Sequence, residues 1–81
     1  MRLDKYLKVS RLIKRRSVAN EACDGTRVKV NGKSVKPAFD VKEGDRIEIV
    51  FGGKVVCVEV LSVNEHALKA DASGMYKVIE D

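Results

Sequence analysis

Residues 1–16 read MRLDKYLKVSRLIKRR, and the phase of this stretch decides the fold. Arg2, Lys5 and Lys8 recur every three positions, so a helix would carry them on one face. Leu3, Tyr6 and Leu7 fall at helical spacing on a different face, where they can pack on a core. One helix cannot hold this division as far as Arg16. Continued at about 100° per residue, it would set Leu12 beside Lys5 and Lys8, in the middle of the basic face. A break near Val9–Arg11 removes the conflict, with Ser10 as turn or cap.

Outward from that break, the sequence predicts a second helix from Arg16 to Asp24. Val18, Ala19, Ala22 and Cys23 share one arc of it, and Asn20, Glu21 and Asp24 the other. Ala19 and Ala22 are small enough for close approach to the first helix. Gly25 stands where a left-handed cap belongs. At two turns this helix needs packing to persist.

After Gly25 the period becomes two. Arg27 to Val30 alternates, Asn31-Gly32 is a strong hairpin-turn signal, and Lys33 to Lys36 returns until Pro37, which has no N–H for a ladder. This pattern points Val28, Val30 and Val35 at the helices and leaves Arg27, Lys29, Lys33 and Lys36 outward. A connector over 38–41 leads to the turn Lys42-Glu43-Gly44-Asp45. Arg46 to Phe51 alternates again, with Ile47, Ile49 and Phe51 on the core side. After Gly52-Gly53, a Val-rich strand from Lys54 to Leu61 offers Val56, Val58 and Val60 to the core. Residues 64–74 read as a loop or a helical turn, and Met75 to Ile79 as a closing strand. The expected architecture is α+β: two short N-terminal helices on a small, mostly antiparallel sheet, in one domain over 1–81.

Charge is distributed unevenly. Residues 1–36 carry a net +8 and residues 37–81 a net −4, for a total of +4 in 81 residues. Seven of the sixteen Lys and Arg lie in the first sixteen positions, against one acid, Asp4. A basic end of this kind suits a polyanionic partner, nucleic acid first and a membrane surface second. No apolar run approaches the roughly 20 residues of a membrane span, and the basic start lacks the apolar segment of a secretory signal. Cys23 and Cys57 are expected as two buried thiols in a reducing cytoplasm. With one histidine, no zinc spacing is present, and no cofactor or metal is expected.

The ordered set Arg2-Leu3-Asp4-Lys5-Tyr6-Leu7, Arg16-Ser17 with Ala19, Gly25-x-Arg27-Val28-x-Val30-Asn31-Gly32 and Val41-x-x-Gly44-Asp45-x-Ile47 resembles the S4 RNA-binding domain family. The match covers about residues 1–50, with the remaining strands in 51–81. The resemblance implies the S4-type (αL) fold and binding of structured RNA by the helices and their connection. Among short stand-alone members, the chain is similar to those acting in bacterial ribosome-associated quality control. That likeness implies rRNA of the large ribosomal subunit, peptidyl-tRNA and an RqcH-type quality-control factor as partners. It also implies a cytoplasmic monomer that supports C-terminal tailing of stalled chains. A second type of member, the heat-shock factor that recycles large subunits with trapped peptidyl-tRNA, is the alternative. That type carries a long basic C-terminal extension, whereas this sequence ends on Ile79-Glu80-Asp81. Arg15 stands where many members have Ser or Thr, leaving Ser17 as the substitute cap of the second helix.

The candidate RNA-binding residues are Arg2, Lys5, Lys8, Arg11, Lys14, Arg15 and Arg16, with Lys29 and Lys33 at the hairpin. Arg suits phosphate because its planar fork donates two parallel hydrogen bonds, while Lys acts as a point charge that adds affinity more than register. Asp4 reads as a first-turn acid favoured by the helix dipole, Tyr6 as a core residue, and Asn31-Gly32 as turn chemistry. His66 reads as a surface residue. No nucleophile–base pair points to an enzyme. No groove-filling recognition helix points to DNA. A protein-interaction module docking the basic stripe on an acidic partner is the remaining rival.

Overall fold

The computed structural model describes residues 1–25, 27–65, 69–72 and 74–79, with positions 69 and 70 described by their backbone. In order, the elements are α1 (Leu3–Val9), α2 (Arg16–Asp24), β1 (Val28–Val30), β2 (Lys33–Ser34), β3 (Arg46–Phe51), β4 (Lys54–Val60), α3 (Lys69–Ala72) and β5 (Tyr76–Val78). The five strands form one sheet in the order β2-β1-β3-β4-β5, with every neighbouring pair antiparallel. The α+β expectation is borne out.

The helices cover one face of the sheet because that face carries the apolar residues of each strand. Leu3, Tyr6 and Leu7 of α1 and Ala19, Ala22 and Cys23 of α2 join Val28, Val30, Ile47, Ile49, Val58 and Val60 in one buried cluster. Burying such side chains contributes about 1.5–3 kcal/mol for each Leu, Ile or Val. Val18 lies at the edge of the buried arc of α2 and is exposed, as is Phe51. Phe51 shares the parity of Ile47 and Ile49 but ends β3 beside the Gly52-Gly53 turn, opposite Lys54. The inward side of the strand thus extends past the apolar cover. Cys23 is buried but Cys57 only half-buried, because Cys57 sits on the uncovered face opposite Glu48.

Local conformations explain the ends. α1 stops at Val9, and Ser10 closes it, its N–H on the Tyr6 carbonyl and its hydroxyl on that of Leu7. Arg11 then takes a left-handed conformation (φ 63°), which turns the chain so that Ile13 enters the core. Gly25 is not left-handed, with φ −81°. A Cβ there would lie 3.2 Å from the Glu21 carbonyl oxygen, a tight contact that a larger residue would have to relieve by a small shift. No side chain caps α2, so Ser17 does not replace the missing Ser or Thr at Arg15.

At the hairpin, Asn31 (φ 52°) and Gly32 (φ 82°) are both left-handed, as a type I′ turn requires. The two-residue turn pairs Val30 with Lys33 and Lys29 with Ser34. Residues directly opposite in an antiparallel ladder share a face. Lys33 therefore projects on the helix side with Val30 and Val35, and Lys29 alone of the pair points outward. The outward expectation for Lys33 is corrected on that ground: it has the same parity as Val35. The segment 64–74 contains a helical turn, α3, with Ala72 buried. His66 lies outside the described residues.

The N-terminus is stitched to the connector before β3. Leu3 N–H donates to the Phe39 carbonyl (2.8 Å), Asp4 N–H to that of Pro37 (3.1 Å), and Val41 N–H to that of Met1 (2.8 Å). The terminal amine pairs with the Asp40 carboxylate at 2.6 Å. That pairing, first as a hydrogen bond and then as a charge, holds the Asp40 carboxyl below its ordinary range.

Candidate nucleic-acid interface

Asp4 is the organising group of the basic face. Its side chain is 2% exposed, yet it sits in the first turn of α1 between two half-exposed arginines, Arg2 at 51% and Arg16 at 47%. Arg2 grips it with Nε on Oδ1 (3.2 Å) and Nη2 on Oδ2 (3.3 Å). Arg16 Nε lies 3.5 Å from Oδ2. Asn20 Nδ2 donates to Oδ2 (3.4 Å), and the Lys5 N–H to Oδ1 (2.8 Å). Burial by itself would raise the carboxyl pKa. The hydrogen bonds from Arg2, Asn20 and the Lys5 N–H, with the Arg16 charge, outweigh burial and lower it.

The dipole reading of Asp4 captures one of these bonds, that from Lys5 N–H, and misses the rest. Its larger role is to bring two guanidinium groups together on one carboxylate, Arg2 by hydrogen bonds and Arg16 by charge. Nothing local in the sequence could announce this, since Arg16 and Asn20 come from the next helix. A lone acid inside a run of seven cations was the available signal.

The first backbone donors of α1 are already occupied by Phe39, Pro37 and Asp4. Attraction for an anion at this end therefore comes from the Arg2 and Arg16 side chains rather than from the helix terminus.

The other end of α1 is built differently. Lys8, Arg11 and Lys14 line a concavity with Val9 and Glu65. All three cations are exposed. They converge because the helix ends at Val9, Arg11 turns left-handed, and buried Ile13 anchors the link by donating its N–H to the Leu7 carbonyl at 3.0 Å. Arg15, also exposed, precedes α2. Lys5 sits between the two ends and pairs with Glu65 at 3.7 Å.

Seven of the nine candidates, Arg2, Lys5, Lys8, Arg11, Lys14, Arg15 and Arg16, thus lie on the residue before α1, on α1, on its link and on the first residue of α2. The hairpin pair is divided. Lys29 stands opposite Glu48 on the uncovered face of the sheet, and Lys33 faces the helix side at the edge strand. Asn31 is spent on structure, accepting from Arg46 N–H (3.1 Å) and donating to Asp45 Oδ1 (3.1 Å).

Tyr6 is fully buried and donates its hydroxyl to the Met75 carbonyl at 2.7 Å. Burial, then the neighbouring Tyr76, raises its pKa, so the phenol stays protonated. Burial, then the charges of Asp4 and Asp24, pushes the Cys23 thiol up to about 11, leaving it an inert core group at neutral pH. Among the described residues no cluster of His, Cys, Asp and Glu could hold a metal ion. No helix among them is long and apolar enough to cross a membrane.

Comparison with known proteins agrees with this geometry. The S4 domain family model matches residues 1–47. The RQC P-site tRNA stabilizing factor of Streptococcus pneumoniae is 53% identical over 81 residues, covering 100% of this chain and 92% of that protein. A heat shock protein 15 homolog of Aeromonas salmonicida is 37% identical over 70 residues, covering 86% of this chain and 53% of that protein. Among solved structures, Vibrio cholerae heat shock protein 15, described as trimeric, superposes with a TM-score of 0.90 at 29% identity. That match covers 98% of this chain and 81% of the other. Two helices on an antiparallel sheet, a basic face ordered on Asp4 and these matches give one result: the chain belongs to the S4 domain family.

Proposed function

We propose that this protein is a non-catalytic RNA-binding factor of the large ribosomal subunit that supports ribosome-associated quality control. In this reading the basic side of α1, the link and the start of α2 binds rRNA and peptidyl-tRNA. Tailing of stalled chains then continues with an RqcH-type partner. The observation that carries it is the pair of guanidiniums held on one buried carboxylate. Ordered arginine forks lose little freedom when they meet phosphate, so they favour a fixed backbone geometry over a loose polyanion. A-form RNA buries its base edges in a deep groove, so a short basic helix pair reads backbone shape, loops and junctions. Folded rRNA and tRNA offer these. The full-length likeness to tRNA stabilizing factors supports the same substrate class.

The test is sedimentation of tagged protein through a sucrose gradient of cell lysate, with wild type beside Arg2→Ala/Arg16→Ala. Wild type should travel with free large subunits as a monomer and the variant should stay at the top. Wild type remaining at the top would overturn the ribosomal assignment. If nuclease leaves an interaction intact, the partner is an acidic protein instead.

Heat-shock-type recycling is the second reading, favoured by the superposition on the Vibrio protein. Tailing activity in a deletion strain separates the two. Loss of tails without this protein supports the quality-control role, and unchanged tails with accumulating blocked subunits support recycling.

A further inference from the structure

Glu65 stands against the charge of its surroundings. It lines the concavity otherwise formed by Lys8, Val9, Arg11 and Lys14, and its Oε1 lies 3.7 Å from Lys5 Nζ. An acid at that place neutralises part of a surface that, on the reading above, meets phosphate. Its position is not left to a free loop. The segment leaving β4 is pinned where Leu61 N–H (2.8 Å) and Ser62 N–H (3.1 Å) both donate to the Met75 carbonyl. The same oxygen accepts the Tyr6 hydroxyl from inside α1. One buried oxygen thus ties the strand end that leads into Glu65 to the helix whose cations Glu65 faces.

We propose that Glu65 is an internal counter-ion of the RNA-binding concavity, displaced when an RNA backbone phosphate enters, and that it sets how selectively that concavity binds. This rests on the RNA-binding reading. The pair with Lys5 is suited to exchange. Lys5 is 33% exposed and Glu65 50% exposed, and at 3.7 Å the contact is a loose one. Pairs of this kind contribute little to folding, so the carboxylate can yield at little cost to the fold. An RNA whose shape also engages Arg2 and Arg16 gains enough to displace it. A flexible polyanion that finds only the lysines must still overcome the acid. The repulsion that discriminates between partners is therefore built in beside the attraction.

The experiment compares wild type, Glu65→Gln and Glu43→Gln for binding to purified large ribosomal subunits and to single-stranded poly(A). Glu43 is exposed in the turn before β3 and does not line the concavity, and its substitution changes net charge by the same amount. Glu65→Gln should tighten poly(A) binding by about three- to tenfold near physiological salt, with a smaller gain on subunits and a difference that shrinks as salt rises. Glu43→Gln should match wild type on both probes. Equal tightening by the two variants would reduce the effect to net charge and overturn the inference, as would no change in Glu65→Gln. Failure of wild type to bind subunits would remove the functional reading and the inference together. Subunit binding with no Glu65 effect would overturn the inference alone.

Discussion

The two ends of α1 present cations by different physical means. At its N-terminal end, Arg2 is hydrogen-bonded to a buried carboxylate and Arg16 is ion-paired with it, with Asn20 and the Lys5 N–H completing the shell. At its C-terminal end, Lys8, Arg11 and Lys14 are placed by the backbone, through the helix stop, the left-handed residue and the burial of Ile13. The first arrangement fixes the direction of the Arg2 guanidinium by two hydrogen bonds and draws that of Arg16 to the same carboxylate. The second fixes only where the side chains start, leaving long stems free to follow a partner. Register should therefore come from the Asp4 end, and screened, adaptable attraction from the concavity.

The largest effect should come from breaking the ordered end. Arg2→Ala with Arg16→Ala removes two charge-assisted contacts of about 1.5–3 kcal/mol each. Affinity for large subunits should fall by about 100-fold or more near physiological salt. The log–log salt slope should become shallower by about 1.4 to 1.8. A loss no greater than that from removing two lysines of the concavity would erase the distinction between the ends.

Asp4→Asn sharpens the comparison because it raises net charge while loosening the arginines. Simple attraction predicts tighter binding, whereas positioning predicts weaker binding, by about five- to twentyfold, together with a loss of about 1–2 kcal/mol in stability by urea unfolding. Since the folded-state pKa of Asp4 is lowered, its stabilising contribution is complete above the ordinary carboxylate range near 4. It disappears as pH falls through its own lower value. Wild type should therefore lose its advantage over Asp4→Asn in acid, and a constant gap across pH would argue against the charged network.

At the other end, Lys8→Ala with Lys14→Ala should weaken binding by about three- to tenfold and alike for every RNA tested. Its salt slope should fall by a similar 1.4 to 1.8 in total, with stability within about 0.5 kcal/mol of wild type. The smallest effect belongs to Arg11→Gly. Relief of a left-handed residue, about 1–2 kcal/mol, is partly offset by the extra freedom of an unfolded glycine, about 0.5–1 kcal/mol. Stability should hold or rise by about 0.5 kcal/mol while affinity drops about two- to fourfold.

What could be read before the fold was known follows one physical rule. Features set by neighbours in sequence were legible: the stop near Val9 from the phase of Leu12, the I′ turn from Asn31-Gly32, and the core side of β4 from its alternating valines. Features set by distant partners were not. Asp4 looks like an ordinary first-turn acid until Arg16 and Asn20 are brought beside it by the α1–α2 crossing. Phe51 has the right parity, but parity cannot say where the helical cover ends. Lys33 was legible in principle, since a two-residue turn fixes which residues share a face. Glu65 became visible only when the end of β4 was seen fastened to α1.

That fastening also ties two distant parts of the sequence to one atom. The Met75 carbonyl is the shared acceptor of the Tyr6 hydroxyl and of the Leu61 and Ser62 N–H groups. Tyr6 and Met75 stand 69 positions apart, so the innermost polar group of α1 is satisfied by a residue far along the chain. Closing a contact over so long a loop carries an entropic cost that the rest of the fold must offset. A fragment ending where the family match ends, at residue 47, would lack most of β3, all of β4 and β5 and this acceptor, and would leave the Tyr6 hydroxyl without its partner. The seat of the basic helix therefore depends on a residue beyond the reach of the helices and β1–β3, although every cation of that helix lies in the first third of the sequence.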